Sequence, residues 1–178
     1  ACRDEPILAG ELPEELAVLS LLTYLDLSNT KQMGKLRGPL PQWLGPSLPA
    51  LRVLDLSGNK LEGTIPASFD ALVALERLDL NKNELTGQIP DLPSLAALRD
   101  VDFMNNALSG TVPKALEHNA ALAQLNFARN ALTGCVSRCI PLCRDGITTD
   151  ACEIGTGNSG ITGLCDDLGW FHTLDHRE

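Results

Sequence analysis

Leu75-Glu76-Arg77-Leu78-Asp79-Leu80-Asn81-Lys82-Asn83-Glu84-Leu85-Thr86-Gly87-Gln88-Ile89-Pro90 is one instance of the pattern L-x-x-L-x-L-x-x-N-x-L-x-G-x-[IV]-P, which recurs along the chain. Copies open at Leu51, Leu75, Leu98 and Leu122, spaced 24, 23 and 24 residues apart. A fixed period in this range marks a solenoid, in which each unit buries its apolar face only against its neighbours. The fold class is therefore an α/β-type solenoid, and function falls to whatever the stacked units leave exposed.

Outward from these copies the pattern loosens. An earlier unit opens with Leu22, Leu25 and Leu27 and runs through Leu36, Gly38, Leu40 and Pro41, stretched by an insertion over 28–35 and one more residue near Gly45. Residues 8–21 match only the second half of a unit. The copy from Leu122 keeps Leu125, Phe127, Asn130, Leu132 and Gly134, then gives way to cysteines. The expected organisation is a solenoid over 1–134, with a half-repeat at 8–21, full repeats from 22, 51, 75 and 98 and a partial one from 122, followed by a cysteine-rich cap and tail over 135–178. That makes about five repeats of 23–24 residues.

Within each unit the L-x-L segment alternates apolar and polar residues, so it predicts a short strand with one buried face. Stacked units place these strands in a parallel concave sheet. The column Asn59, Asn83, Asn106 and Asn130 sits where the chain turns inward, and a carboxamide there can satisfy backbone groups otherwise buried unpaired. Gly63, Gly87, Gly110 and Gly134 occupy positions where a Cβ would be crowded. The Ile-Pro or Val-Pro pair that follows starts an extended or short helical segment on the convex side.

The L-x-G-x-[IV]-P ending, as in Leu61-Glu62-Gly63-Thr64-Ile65-Pro66 and Leu85-Thr86-Gly87-Gln88-Ile89-Pro90, resembles the plant-specific class of leucine-rich repeats over residues 8–134. That class includes receptor-kinase ectodomains and inhibitors of cell-wall polygalacturonases. The resemblance implies a second sheet, short 3₁₀ segments on the convex side, and protein binding without catalysis. This chain departs from the class in lacking a complete N-terminal cap with its paired-cysteine motif; only Cys2 stands at that end.

The net charge of −9 and pI near 4.7 argue against binding a phosphate backbone, which needs clustered Lys and Arg. No basic run and no apolar stretch of 18 residues occurs, so neither a polybasic tether nor direct membrane insertion is indicated. Six cysteines favour an oxidising compartment, extracellular and secreted or an organelle lumen. The chain starts at Ala1 with neither Met nor a signal sequence, the look of a processed product or of part of a longer chain.

Candidate chemistry is sparse. The column Asp26, Asp55, Asp79, Asp102 and Asn126 forms an acidic ladder, with strands about 4.8 Å apart. It offers either a site for a basic partner or solvated scaffold carboxylates, and it is a poor metal cage without added ligands. Beside it, Tyr24 is the one aromatic of the concave columns, while Arg77, Lys82, Arg99 and Arg129 can neutralise the ladder locally. Residues 155–160 match G-x-G-x-x-G, but no strand is expected before them, so they read as a flexible loop bounded by Cys152 and Cys165. His172 and His176 share the spacing of a helical zinc pair, yet lack a glutamate after His172 and a third ligand, and read as a solvated tail. No nucleophile–base or paired-acid constellation is evident, and no cofactor is expected.

Cys135, Cys139, Cys143, Cys152 and Cys165 are disulfide candidates that would staple the open C-terminal end. Two disulfides among them are expected, with a thiolate zinc site as the less favoured alternative. Cys2 lies four to five turns away, beyond the roughly 7 Å that a disulfide spans. At the other end Leu8, Leu12, Leu16 and Leu19 are expected to form an uncovered apolar edge. The protein-binding candidates are thus Leu8, Leu12, Leu16, Tyr24, Asp26, Asp55, Arg77, Asp79, Asp102 and Arg129. The expected partner is a protein and not nucleic acid, met either within a larger complex or by a freestanding recognition protein.

Overall fold

The structure, a computed structural model, describes residues 10–29, 35–137, 148–149, 152–165 and 171–172. Each repeat contributes one strand to each of two sheets. The pairs are β1 (Tyr24–Asp26) and β2 (Arg37–Pro39), β3 (Val53–Asp55) and β4 (Lys60–Gly63), β5 (Arg77–Asp79) and β6 (Glu84–Gln88), β7 (Asp100–Asp102) and β8 (Ala107–Gly110), and β9 (Gln124–Asn126) and β10 (Ala131–Ser137). Four more strands follow: β11 (Thr148–Thr149), β12 (Cys152–Glu153), β13 (Gly160–Cys165) and β14 (Phe171–His172).

The first sheet runs β1-β3-β5-β7-β9-β12-β11 and the second β14-β13-β10-β8-β6-β4-β2. Pairing is parallel except at β11–β12 and β13–β14. In the first sheet the register is one to one, so Leu25, Leu54, Leu78, Val101 and Leu125 stack in a column facing inward. Between the sheets Leu51, Leu54, Leu56 and Leu61 are all fully buried. Burying each such side chain contributes roughly 1.5–3 kcal/mol, so the repeat of leucines is the main source of stability.

The chain closes each turn with a short 3₁₀ segment at Glu14–Val18, Ala67–Ala71 and Lys114–His118, and a one-turn helix at Leu44–Ser47. The three 3₁₀ segments start directly after Pro13, Pro66 and Pro113, whose ring fixes φ near the helical value. One repeat differs: residues 91–98 carry turns only.

The asparagine column works as a ladder. The Asn83 Oδ1 accepts the Leu61 N–H at 3.0 Å, while its Nδ2 donates to the Leu56 and Leu80 carbonyls at 3.0 Å each. Asn59 one turn before, and Asn106 and Asn130 one and two turns after, repeat this arrangement. Each carboxamide thereby joins two neighbouring turns, Asn59 and Asn83 buried and Asn106 and Asn130 half-buried.

The C-terminal region departs from expectation. The Asn158 Oδ1 accepts the Leu132 N–H at 3.0 Å, its Nδ2 donates to the Phe127 carbonyl at 2.8 Å, and β12 pairs with β9. Residues 152–165 therefore add a further solenoid turn, and 155–160 are its inward turn, with a strand before them and Asn158 only 3% exposed. The reading as a flexible loop was wrong because one inserted residue hid the match of Asn158 to the asparagine column. His172 lies in β14, not on a helix. Cys135 is disulfide-bonded, Cys152 and Cys165 lie in β12 and β13, and Cys2, Cys139, Cys143 and His176 fall outside the described residues.

Candidate functional site

The outward face of the first sheet carries most of the candidates. Asp26, Asp55, Asp79, Asp102 and Asn126 stand in register across five strands. In every one of them Oδ1 accepts the backbone N–H two residues on, from Ser28, Ser57, Asn81, Met104 and Ala128, at 2.9–3.1 Å. Such side-chain turns end a strand where the backbone bends away. An acceptor at this slot is thus a structural need, which explains why Asn serves as well as Asp.

Asp79 is only 6% exposed, not the solvent-facing rung the alternation implies. It also accepts from the Asn81 Nδ2 at 2.6 Å and the Arg77 Nη2 at 3.2 Å, and these two partners cover it. Arg77 further reaches the Asp55 carboxylate at 3.8 Å. Partial burial works against the Arg77 charge, yet the Asp79 hydrogen bond and the charges of Asp79, Asp55 and Asp100 raise its pKa further. Asp26, at the open edge, is held below the ordinary carboxylate value by its hydrogen bonds from Ser28.

Over β5, β7 and β9 the face dips into a hollow of about 170 Å³ lined by Arg77, Asp79, Asp100, Asp102, Gln124 and Asn126. Burial pushes the Asp102 carboxyl up, against the Met104 N–H, and the Asp79 charge adds to the rise. The hollow presents outward carboxylate and carboxamide oxygens beside one guanidinium, which suits a polar partner with a cationic group. Among the described residues, no cluster of three or more His, Cys, Asp or Glu could hold a metal ion. Exposed Tyr24 donates weakly to Asp26 at 3.4 Å, and exposed Arg129 sits at φ 55° beside the last inward turn.

The N-terminal candidates separate. Leu12 is 6% exposed and belongs to the core, and Leu16 is half-buried against it, so neither forms the open edge expected of it. The exposed apolar residues there are Val18 at 80% and Leu21 at 87%, with Leu19 half-exposed. Sequence spacing pointed to the leucines because they keep the repeat; Val18 and Leu21 lie off it and carried no periodic signal. Leu8 and residues 30–34 of the insertion fall outside the described residues. Asn119 was also missed: it occupies the slot of Leu48, Leu72 and Leu95 and donates to the Leu95 and Leu98 carbonyls at 3.2 and 3.1 Å.

Comparison with known proteins agrees with this geometry. The leucine rich repeat family model matches residues 41–85. Over 58 residues the chain is 41% identical to a probable LRR receptor-like serine/threonine-protein kinase of Arabidopsis thaliana, a match covering 29% of this chain and 6% of that one. The LRR ectodomain of the plant membrane receptor kinase GASSHO1/SCHENGEN3 from the same plant, solved in complex with CASPARIAN STRIP INTEGRITY FACTOR 2, superposes with a TM-score of 0.75 at 32% identity, over 89% of this chain and 17% of that one. A plant ice-binding protein superposes with a TM-score of 0.66 at 40% identity, over 74% of this chain and 40% of that one. The chain therefore spans well under half the length of each. No helix among the described residues is long and apolar enough to cross a membrane.

Proposed function

This chain belongs to the plant-type leucine-rich repeat family, and we propose that it is a non-catalytic protein-binding module acting outside the cell. One observation carries this reading. The inward positions of the first sheet repeat Leu almost without change, whereas the outward column beside the acidic ladder reads Tyr24, Val53, Arg77, Asp100, Gln124. A non-repeating surface on a repeating scaffold suits an irregular partner such as a protein, and gives little to a regular polymer. In this reading residues 1–134 form the binding solenoid and 135–178 close its end, with 152–165 adding a turn.

The binding face comprises Tyr24, Asp26, Asp55, Arg77, Asp102 and Arg129, with Asp79 holding Arg77 in place; Leu12 and Leu16 support the layer that presents Val18 and Leu21, and Leu8 is a further candidate of that edge. Crosslinking mass spectrometry on native material is the test. Arg77→Glu is expected to release the crosslinked partner at least tenfold while the thermal transition stays within a few degrees. Retention by Arg77→Glu together with loss by Val18→Arg or Leu21→Arg would move the binding site to the N-terminal edge. Native mass separates a subunit docked in a larger complex from a freestanding recognition protein, which runs alone.

A second reading has one observation in its favour. Thr64, Thr86, Thr111 and Thr133 are exposed along the second sheet, a face the concave columns do not represent. Binding of an ice surface would use that face, although Lys60, Glu62 and Glu84 confine its uncharged part to the C-terminal half. Thermal hysteresis of the purified protein, lost in Thr111→Lys, would establish it; its absence removes this reading.

A further inference from the structure

The repeat opened at Leu75 is 23 residues long where its neighbours are 24, and the missing residue lies between Pro90 and Leu95. Three residues beyond the closing proline, the other repeats place Leu44, Phe69 and Leu116, which are 0%, 0% and 9% exposed. The short repeat places Pro93 there, exposed to solvent, with Leu92 only half-buried beside it. Single turns take the place of the 3₁₀ helix, and one core side chain is lost.

What remains is a cleft of about 110 Å³ on the side opposite the first sheet's outward face, reaching down to the buried Leu78, Val101 and Phe103 and lined nearer the surface by the exposed Pro93 and Ala96 and the half-buried Ala115. Phe103 and Phe127, stacked at 5.2 Å where earlier repeats have leucine, fill part of the space beneath it. The polar side chain of the lining, Asn119, has its amide committed to the Leu95 and Leu98 carbonyls and its Oδ1 to the Ala121 N–H. The lining is thus predominantly apolar, and the polar side chain in it is already bonded. An apolar cavity of roughly 150 Å³ is enough to hold benzene; this cleft, at about 110 Å³, is smaller but open to solvent, so an occupant need not be wholly enclosed.

We propose that the cleft is a binding site for a small uncharged apolar molecule, the size of the leucine or phenylalanine side chain that the short repeat lacks. The site is independent of the protein-binding face, because its lining shares only the inward-facing Leu78 and Val101 with the hollow there. Methyl NMR with toluene as probe tests it on the whole chain. Saturable shifts at Val101, Leu98 and Leu116 are expected, lost on Ala115→Phe, which plugs the mouth, and unchanged by Arg77→Glu. Leu92→Ala, which widens the mouth, should tighten toluene by a few-fold and stands as the check if the plugged variant fails to fold. Non-saturable shifts, shifts that survive the plug, or no effect of widening would overturn the proposal. Tighter binding of N-acetyl-phenylalaninamide than of toluene would also overturn it, by making the occupant a polypeptide side chain.

Discussion

The difference between two polar columns shows most clearly what single residues do in this protein. Asn83 satisfies one N–H and two carbonyls from two turns inside the solenoid, so Asn83→Ala leaves those groups buried and unpaired. The expected loss in denaturant melts is about 1–3 kcal/mol, and Asn106→Ala should match it. The exposed Lys60→Ala should cost under about 0.5 kcal/mol; equal losses would mean the ladder adds nothing. Asp79→Ala is expected to cost about 1 kcal/mol or more, since the buried carboxylate holds both the Asn81 N–H and Arg77. Asp102 behaves differently, because burial raises its carboxyl above the ordinary 3.8. Such a group favours the fold while protonated, and that contribution disappears as pH rises through its folded value. Asp102→Asn keeps an acceptor for Met104 without the charge, as Asn126 does in the next repeat. The variant should melt above the wild type at pH 7, with the gap closing below the ordinary carboxylate range; a gap that widens in acid would contradict this.

Elements in this fold are short, and close approach between turns fixes them more than propensity does. The one-turn helix Leu44–Ser47 has Gly45 against the next turn, where an added Cβ would lie 1.9 Å from the Ser68 carbonyl oxygen. No rotamer relieves a clash with backbone, so Gly45→Ala must push the helix off the Ala67–Ala71 segment. Gly63 poses a separate problem: its φ of 75° is costly for any L-residue, but a Cβ there meets nothing nearer than 3.8 Å. Gly63→Ala should cost about 1–2 kcal/mol from φ alone, and Gly45→Ala should lower the melting temperature further. The opposite ranking would place the helix away from its neighbour.

At the scale of the whole molecule, stability passes from turn to turn, since each repeat touches only its neighbours. Asn158 binds the last described turn to the one before it, through Leu132 and Phe127. Asn158→Ala should therefore raise hydrogen exchange most in β10 and β13, progressively less in β8, and hardly at all in β4. Uniform acceleration along the solenoid would show a single cooperative unit instead. The exposed Val18 and Leu21 mark the other end, where, among the described residues, β1 is the outermost strand of its sheet and β2 is met beyond by the bridge from Gly10 to Leu36.

The sequence alone determined the solenoid, the leucine core, the parallel first sheet and the asparagine ladder, because each rests on a spacing that repeats and each repeat meets the same neighbours. It also located the outward columns of the first sheet, since alternation along a strand fixes which side a residue faces. Whatever depends on a neighbouring turn became visible in the packed chain. Asp79 is buried because Arg77 and Asn81 fold over it; Leu12 is core because adjacent layers cover it. Asn158 completes the ladder across an inserted residue that blurs its spacing, and the cleft beside Pro93 exists because one repeat is a residue shorter than the repeats that flank it. Periodicity fixes what every turn has in common; packing between particular turns decides where they differ, and the candidate sites are found among those differences.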